Sequence, residues 1–356
     1  MPHILFSDSS NAWGGLQYWM HAVARGLLSR GWDAALYGPD ELSRIGRTVR
    51  DVDLEYKSLP PELEHFSSYR QVPVSQFDII VAGTGRDIRG FGISARWHHK
   101  PVVWSVGGMP EFTWLHGLTR DRLVKYVLVP SQYARGIMME HGWEPHQVTA
   151  ISIGISLKPL PTADEISTAR QTLAWHPDEF VILFVGSLRR VKRIDVLLDA
   201  FAQIAASLPA TRLVIVGAGP KRPVLEEQRQ RLALVDRVEF AGFQRDPSVY
   251  FTACDLFVLP SREETFGLVL LEAMMRGKPL VASGAGAIPE VVGIDEAALL
   301  VDTSTPEPLA HALQRVIGDP ALRQRLAAAG PRRVKERFTE EMMLDQLDAY
   351  FRSLLR

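Results

Sequence analysis

The chain has 356 residues, 46% of them hydrophobic and 23% charged, with 40 Lys and Arg against 41 Asp and Glu. That length sets an expectation of two packed domains, and the composition excludes a disordered tail, a coiled coil and a collagen-like chain. A net charge of −1 lacks the global basic field of a nucleic-acid binder, so no nucleic-acid partner is expected.

The one cysteine, Cys254, can form neither an intramolecular disulfide nor a cysteine-based zinc site, and suits a core position in a reducing compartment. No stretch reaches the roughly 20 apolar residues of a membrane span. Met1 to Phe6 runs straight into a strand without a signal-peptide pattern. The expectation is a cytoplasmic protein, whose only membrane association is peripheral, at the inner face.

In chain order, the apolar run His3 to Ser7 leads into a polar, glycine-bearing loop (Asp8 to Gly15), then a helical pattern from Leu16 to Ser29 that Gly31 ends before Asp33 to Tyr37. This is a βαβ unit. Phe77 to Ala82, Pro101 to Val106 and Tyr126 to Pro130 are further short apolar runs, spaced widely enough for the crossovers of a parallel sheet. A second series comprises Phe180 to Gly186, Arg212 to Gly217, Val238 to Gly242, Asp255 to Pro260 and Pro279 to Ser283. Continuous Val/Ile/Leu/Phe runs suit strands buried on both faces.

The proline-rich Lys158 to Thr162 separates the two series and is the expected linker. The expected fold class is α/β, two Rossmann-like doubly wound domains facing a cleft, over residues 1–157 and 158–338. The terminal helix, within 339–356, packs on either domain as far as composition shows.

The segment with most chemical content is Pro260-Ser-Arg-Glu-Glu264-Thr-Phe-Gly267-Leu-Val-Leu-Leu-Glu272-Ala-Met-Met-Arg-Gly277. A strand ends at Pro260 and a helix starts near Gly267, so free N–H groups of Thr265, Phe266, Gly267 and Leu268 make an anion site. If the helix reaches back far enough, the eight-residue spacing puts Glu264 and Glu272 on one side of it. Two carboxylates beside an anion hole suit a ligand with phosphates flanked by hydroxyls; a dipole-complementing Glu264 and a solvated Glu272 are the plainer alternative.

A second cluster, Phe184-Val-Gly186-Ser187-Leu-Arg189-Arg190-Val-Lys192-Arg193, reads as strand, turn and basic start of a helix. Cations there oppose the helix dipole and so call for an anion. Gly217-Ala-Gly219 resembles a dinucleotide fingerprint, but its third glycine would fall on Arg222, which removes the main support for a nicotinamide site.

These motifs resemble the retaining glycosyltransferases of family 4, which have the two-domain fold called GT-B. The resemblance is specific in the second half and loose in the first. Glu264 and Glu272 match that family's Glu-x7-Glu motif, with Phe-Gly after the first Glu and Glu-Ala-Met around the second. The resemblance implies that Glu264 contacts the donor sugar, that the N–H groups of Thr265 to Leu268 hold the diphosphate, and that Glu272 binds ribose hydroxyls. It implies that Lys192 clamps the leaving diphosphate. Ser187 stands where the family has a second cation, so Arg189 or Arg190 is expected to supply the guanidinium.

Gly217 and Gly219, and Gln244 after Gly242, fall where the family holds the nucleotide base. Gly14 and Gly15 fall in its Gly-Gly loop near the donor phosphate. The family often carries a His where this chain has Gly107, and His98, His99 and His116 are out of register. In a front-face mechanism the departing phosphate oxygen can take the acceptor proton, so a protein base is not essential.

The resemblance thus implies a metal-independent hexosyltransferase that uses no cofactor. Its donor would be a UDP- or GDP-sugar and its acceptor a glycan, a lipid-linked or a small molecule. The first domain would bind the acceptor and the second the donor. A catalytically silent sugar-nucleotide-binding protein and a sugar-nucleotide epimerase are the rival readings.

Residues 86–125 hold seven Lys/Arg (Arg86, Arg89, Arg96, Lys100, Arg120, Arg122, Lys125) against Asp87, Glu111 and Asp121, interleaved with Phe91, Trp97, Trp104, Phe112 and Trp114. Such a mixture suits a membrane surface or an anionic lipid-linked acceptor, and equally an ordinary surface with a few core aromatics.

Overall fold

The computed structural model describes residues 1–9, 15–38, 55–58, 72–108, 123–294 and 296–356. The chain divides into two units, Met1–Gly154 with Glu340–Arg356, and Ile155–Thr339. The division falls a few residues before the proline-rich Lys158 to Thr162, because Ile155 already bridges to Thr339 and its N–H donates to the Phe338 carbonyl (2.9 Å).

The first unit is a parallel sheet of β1 (His3–Ser7), β2 (Asp33–Gly38), β3 (Glu55–Ser58), β4 (Ile79–Ala82), β5 (Val102–Ser105), β6 (Tyr126–Val129) and β7 (Val148–Ala150), in the order β3-β2-β1-β4-β5-β6-β7. Residues alternate between its two faces, as a pleated strand requires. Ile4, Phe6, Ile79, Val81, Val103 and Leu128 enter one core, while Leu5, Ile80, Ala82, Val102, Trp104 and Val127 enter the other.

Helix α1 (Gly15–Leu28) closes the first face through Trp19, Met20, Val23 and Leu27. On the opposite face lie α2 (Gly85–Trp97), through Ile88, Phe91 and Ala95, and α3 (Gln132–Glu140), through Ala134 and Met138.

The second unit is a parallel sheet of β8 (Phe180–Val185), β9 (Thr211–Val216), β10 (Val238–Gly242), β11 (Leu256–Leu259), β12 (Leu280–Ser283) and β13 (Ala298–Val301), in the order β10-β9-β8-β11-β12-β13. Its described helices are α4 (Ala163–Thr172), α5 (Ile194–Ala205), α6 (Arg222–Arg231), α7 (Ser248–Ala253), α8 (Leu268–Met275), α9 (Ile288–Val292), α10 (Pro306–Gly318) and α11 (Pro320–Arg337). In both sheets the order reverses beside the first strand of the unit, between β1 and β4 and between β8 and β11. Loops leaving these neighbours diverge to opposite faces and open a crevice at the carboxyl ends, where open α/β sheets bind ligands.

The last helix, α12 (Glu340–Ser353), belongs to the first unit, where Leu344, Leu347 and Phe351 join the core covered by α1. Gly26 permits that approach, since a Cβ there would lie 2.3 Å from a Leu344 methyl. Polar contacts fix the register: the Trp32 indole donates to Asp348 (2.6 Å), Arg30 pairs with Asp345 (2.6 Å), and Arg352 donates to the Arg30 carbonyl (2.8 Å).

At the switch point of the first sheet, buried Asp87 accepts from the Ser7 hydroxyl (3.0 Å), the Ser9 N–H (3.2 Å), the Thr84 N–H (3.0 Å) and the Thr84 hydroxyl (2.6 Å). It is also the third residue of α2, whose Thr84 cap it completes. Asp87→Ala would strand these donors and cost about 3 kcal/mol. Denaturant titration of the purified variant measures this, and an unchanged midpoint would remove the network from the account of this unit.

Candidate functional site

The loops leaving β8 and β11 meet at the switch point of the second sheet. After β8, Leu188 is fully buried and is held from both sides, its N–H donating to the Ala218 carbonyl (2.9 Å) and its carbonyl accepting from the Lys221 N–H (3.0 Å). The chain then makes one 3-10 turn, Arg190–Lys192, and passes through Arg193 in the left-handed region (φ 51°) before α5 begins at Ile194. Lys192 therefore sits ahead of the helix and not in its first turn. This corrects the expected basic helix start, and the cause is the left-handed Arg193.

After β11, Ser261, Glu264, Thr265 and Phe266 are all buried. The Arg262 N–H donates to the Val191 carbonyl (2.8 Å), which ties the two loops together. Beside that tie the Lys192 ammonium donates to Glu264 Oε1, and the Ser261 hydroxyl donates to the same oxygen (2.8 Å). Both partners are largely shielded, with side chains 18% and 10% exposed.

The Glu264 backbone is held as well, its carbonyl accepting from the Ala287 N–H (2.9 Å). Gly286 (φ 64°) lies so close that a Cβ would stand 2.6 Å from that carbonyl oxygen. Phe266 packs edge-to-face on Phe338 (5.8 Å between centroids) and anchors the loop from below. Burying two charges costs desolvation that a pair seldom recovers in full, so this arrangement is poorly explained as a device for stability.

Helix α8 starts at Leu268 because Gly267 takes φ 85°, a conformation natural to glycine. The expectation that Glu264 and Glu272 share one face of a helix is therefore corrected: Glu264 lies four residues before α8, and Glu272 lies in its second turn. Among the described residues the N–H groups of Leu268 and Val269 have no backbone partner, so the helix opens with donors available to an anion.

Glu272 is half-buried, and desolvation raises its carboxyl to about 7, opposed by Arg276 and Lys158 and aided by Asp246. Arg189 and Arg190 are exposed, and no described residue makes an ion pair with either; Ser187 beside them is exposed too.

Gly217 (φ 142°) and Gly219 are required by the neighbouring loop. A Cβ would lie 1.9 Å from the Gly186 carbonyl oxygen at the first and 2.6 Å from the Leu188 carbonyl oxygen at the second. Packing of the loops after β8 and β9 thus accounts for both glycines without a ligand. Gln244 folds back, donating to the Ala241 carbonyl (3.0 Å).

In the first unit, Gly15 opens α1 with free space where a Cβ would stand, and Gly14 lies outside the described residues. At Gly107 a Cβ would stand 2.8 Å from Leu16 Cβ, so a histidine fits only if α1 yields. His98 and His99 are exposed; His116 lies outside the described residues.

Sequence reasoning passed over Ser261 and Gly286. A hydroxyl three residues before Glu264 and the Gly-Ala-Gly after β12 were the available signals.

Residues 165–333, all within the second unit, match the sequence model of the family glycosyl transferases group 1. The chain is similar to D-inositol 3-phosphate glycosyltransferase of Rhodococcus opacus (strain B4), 34% identical over 236 residues, which are 64% of this chain and 52% of that protein. It is also similar to the lipopolysaccharide core biosynthesis glycosyltransferase LpsD of Rhizobium meliloti (strain 1021), 34% identical over 218 residues, or 61% of each. The matches thus span between half and two thirds of these curated relatives.

Among solved structures, HepE of Anabaena in complex with UDP-glucose superposes with a TM-score of 0.88 at 24% identity, over 99% of both chains. Sucrose-phosphate synthase from Thermosynechococcus elongatus gives 0.83 at 24%, again over 99% of both. This likeness shows the fold, two Rossmann-like domains of the GT-B type.

The raised Glu272 carboxyl has a signed consequence for the ligand-free protein. Between its ordinary value of 4.5 and about 7 the folded state holds a proton that the unfolded state has released, so stability falls as pH rises through that window. Glu272→Gln is expected to flatten this dependence and to raise the melting temperature at pH 8 by about 3 °C. A variant with an unaltered pH–stability curve would show that the carboxyl titrates normally.

Proposed function

We propose that this protein is a retaining, metal-independent glycosyltransferase of family 4 that moves a hexose from a UDP- or GDP-sugar to an acceptor bound by the first unit. The observation that carries the reading is the shielded Lys192–Glu264 pair beside the unpaired N–H groups opening α8, all at the switch point of the second sheet. The relatives named glycosyltransferases, and the UDP-glucose bound by HepE, support it.

On this reading the donor diphosphate lies over the start of α8 and takes N–H bonds from Phe266 to Leu268. Lys192 turns one of its three N–H donors to the β-phosphate and keeps another on Glu264. Charge on that phosphate grows as the glycosidic bond breaks, so the ammonium contributes more in the transition state than in the ground state. Lys192 and the helix dipole do what a divalent cation does elsewhere. Glu264, held by Ser261 and Lys192, is fixed for the sugar hydroxyls, and Glu272 accepts from the ribose. The leaving phosphate oxygen takes the acceptor proton, which agrees with the lack of room for a side chain at position 107. The acceptor is a glycan, a lipid-linked molecule or a small molecule.

Nucleoside diphosphate release from a panel of sugar nucleotides, with and without acceptor, tests the reading. Release that depends on acceptor and persists in chelator supports it; tight donor binding with no release would identify a silent binding protein. In the active protein Lys192→Ala should lower kcat by about a hundredfold or more, within the range for loss of one transition-state charge contact. Of Arg189→Ala and Arg190→Ala, one should lower kcat with donor Kd nearly unchanged, because a guanidinium aimed at the β-phosphate acts as the bond breaks. Full activity in both would leave the leaving group to Lys192 and the α8 N–H groups.

Glu272→Ala should weaken donor binding by about 1.5–3 kcal/mol, the usual worth of hydrogen bonds to a charged group. In the unsubstituted protein donor affinity should rise with pH through about 7 as this carboxyl ionises. Calorimetric titration measures both, and a pH-independent Kd would take the ribose away from Glu272.

A further inference from the structure

Helix α2 covers the first sheet with Ile88, Phe91, Gly92 and Ala95, and its opposite stripe is exposed except at half-buried Arg89 and Gly90. At 100° per residue that stripe runs Arg86, Arg89, Gly90, Ile93, Arg96, Trp97. It holds three arginines and two large apolar side chains, and no acid. Asp87, the helix's one acidic residue, points inward and is fully buried in the Ser7–Thr84 network. Lys100, three residues beyond the helix, is paired with Asp78 (3.4 Å).

Among the described residues, Arg86 and Arg89 have no acidic partner. Ile93 is 68% exposed and Trp97 83% exposed, one helical turn apart on the same line. The other two aromatics described in this basic stretch, Phe91 and Trp104, are buried in the sheet core, so the ordinary explanation of core aromatics covers them and leaves Trp97 over.

We infer that the outer face of α2 docks the protein on an anionic lipid bilayer. Three arginines and no acid on the stripe complement an anionic surface, and a bilayer interface yields to a protruding ring. Indole is the side chain best suited to the headgroup level, with its ring among the upper acyl carbons and its N–H toward water. Arg86 and Arg89, earlier on the same stripe, can extend to lipid phosphates while their stems lie on the apolar boundary. The roughly 20 Å of helix gives a contact line along which all six residues can touch one plane. No described helix is long and apolar enough to cross a membrane, so this attachment is peripheral. The inference stands apart from the proposed transfer activity, since its readout is partition and not turnover.

The test is co-sedimentation of the full chain with phosphatidylcholine vesicles with and without phosphatidylglycerol. Binding is expected only to the anionic vesicles and should weaken steeply with salt. Trp97→Ala and the double variant Arg86→Gln/Arg89→Gln should each lower the partition coefficient by about tenfold. Trp97 and Arg86 are exposed and Arg89 is half-buried, and melting curves check that the fold is kept. A blue shift of tryptophan emission on adding anionic vesicles, absent in Trp97→Phe, would place this ring at the interface. Equal binding by the variants, no binding by the unsubstituted protein, or a Trp97-dependent self-association seen by light scattering without lipid would overturn the inference.

Discussion

The arrangement at the second unit's switch point depends on one ion pair, Lys192 with Glu264. Each charge comes from a loop leaving a neighbouring strand of the same sheet, and each is taken out of water by the packing around it. Such a pair holds only if the two loops are held, and much of the local structure does this. Leu188 pins the first loop, Phe266 the second, the Arg262–Val191 hydrogen bond joins them, and Gly286 lets a third loop close over the Glu264 backbone. The fold itself thus fixes both charges, as the transfer proposed above requires.

The glycines show that an architectural need can underlie a position that also reads as chemical. Gly217 and Gly219 fall in the sequence where the resembled family holds the nucleotide base. In the structure the obstacle to a side chain is the loop after β8, whose carbonyl oxygens occupy the space. Gly107 is a related case in the first unit, because the nearest neighbour of a Cβ there is Leu16 of α1. Substitutions at these positions report on packing first.

The interior strands were legible in the sequence, and of the four edge strands only β10 was. β1, β4, β8, β9, β11 and β12 are interior strands, both faces covered, and need continuous apolar runs. The three that escaped reading, β3, β7 and β13, are edge strands of three or four residues. Glu55-Tyr-Lys-Ser and Val148-Thr-Ala carry too little apolar pattern to stand out from loop, and Ala298 to Val301 follows a stretch without a turn signal strong enough to frame it. At the site, Glu264 and Glu272 stood out by their spacing, and Lys192 by the family resemblance. Their mutual geometry was not legible, because it depends on the left-handed conformation of Arg193 and of Gly267, which local pattern does not encode. Ser261 was invisible for the same reason, its role being a hydrogen bond defined only once the loop has closed.

The placement of α12 has a consequence for how the molecule is made. Its Leu344, Leu347 and Phe351 complete the core beneath α1, yet they follow the whole of the second unit in the chain. The second unit is a contiguous segment and can fold as it leaves the ribosome, while the first must wait with one apolar face of its sheet partly uncovered until residues 340–353 emerge. The unit that begins first is finished last, and during that interval the faces of Trp19, Val23 and Leu27 are the most exposed to wrong partners. A fragment ending at the boundary of the second unit would keep that interval open indefinitely.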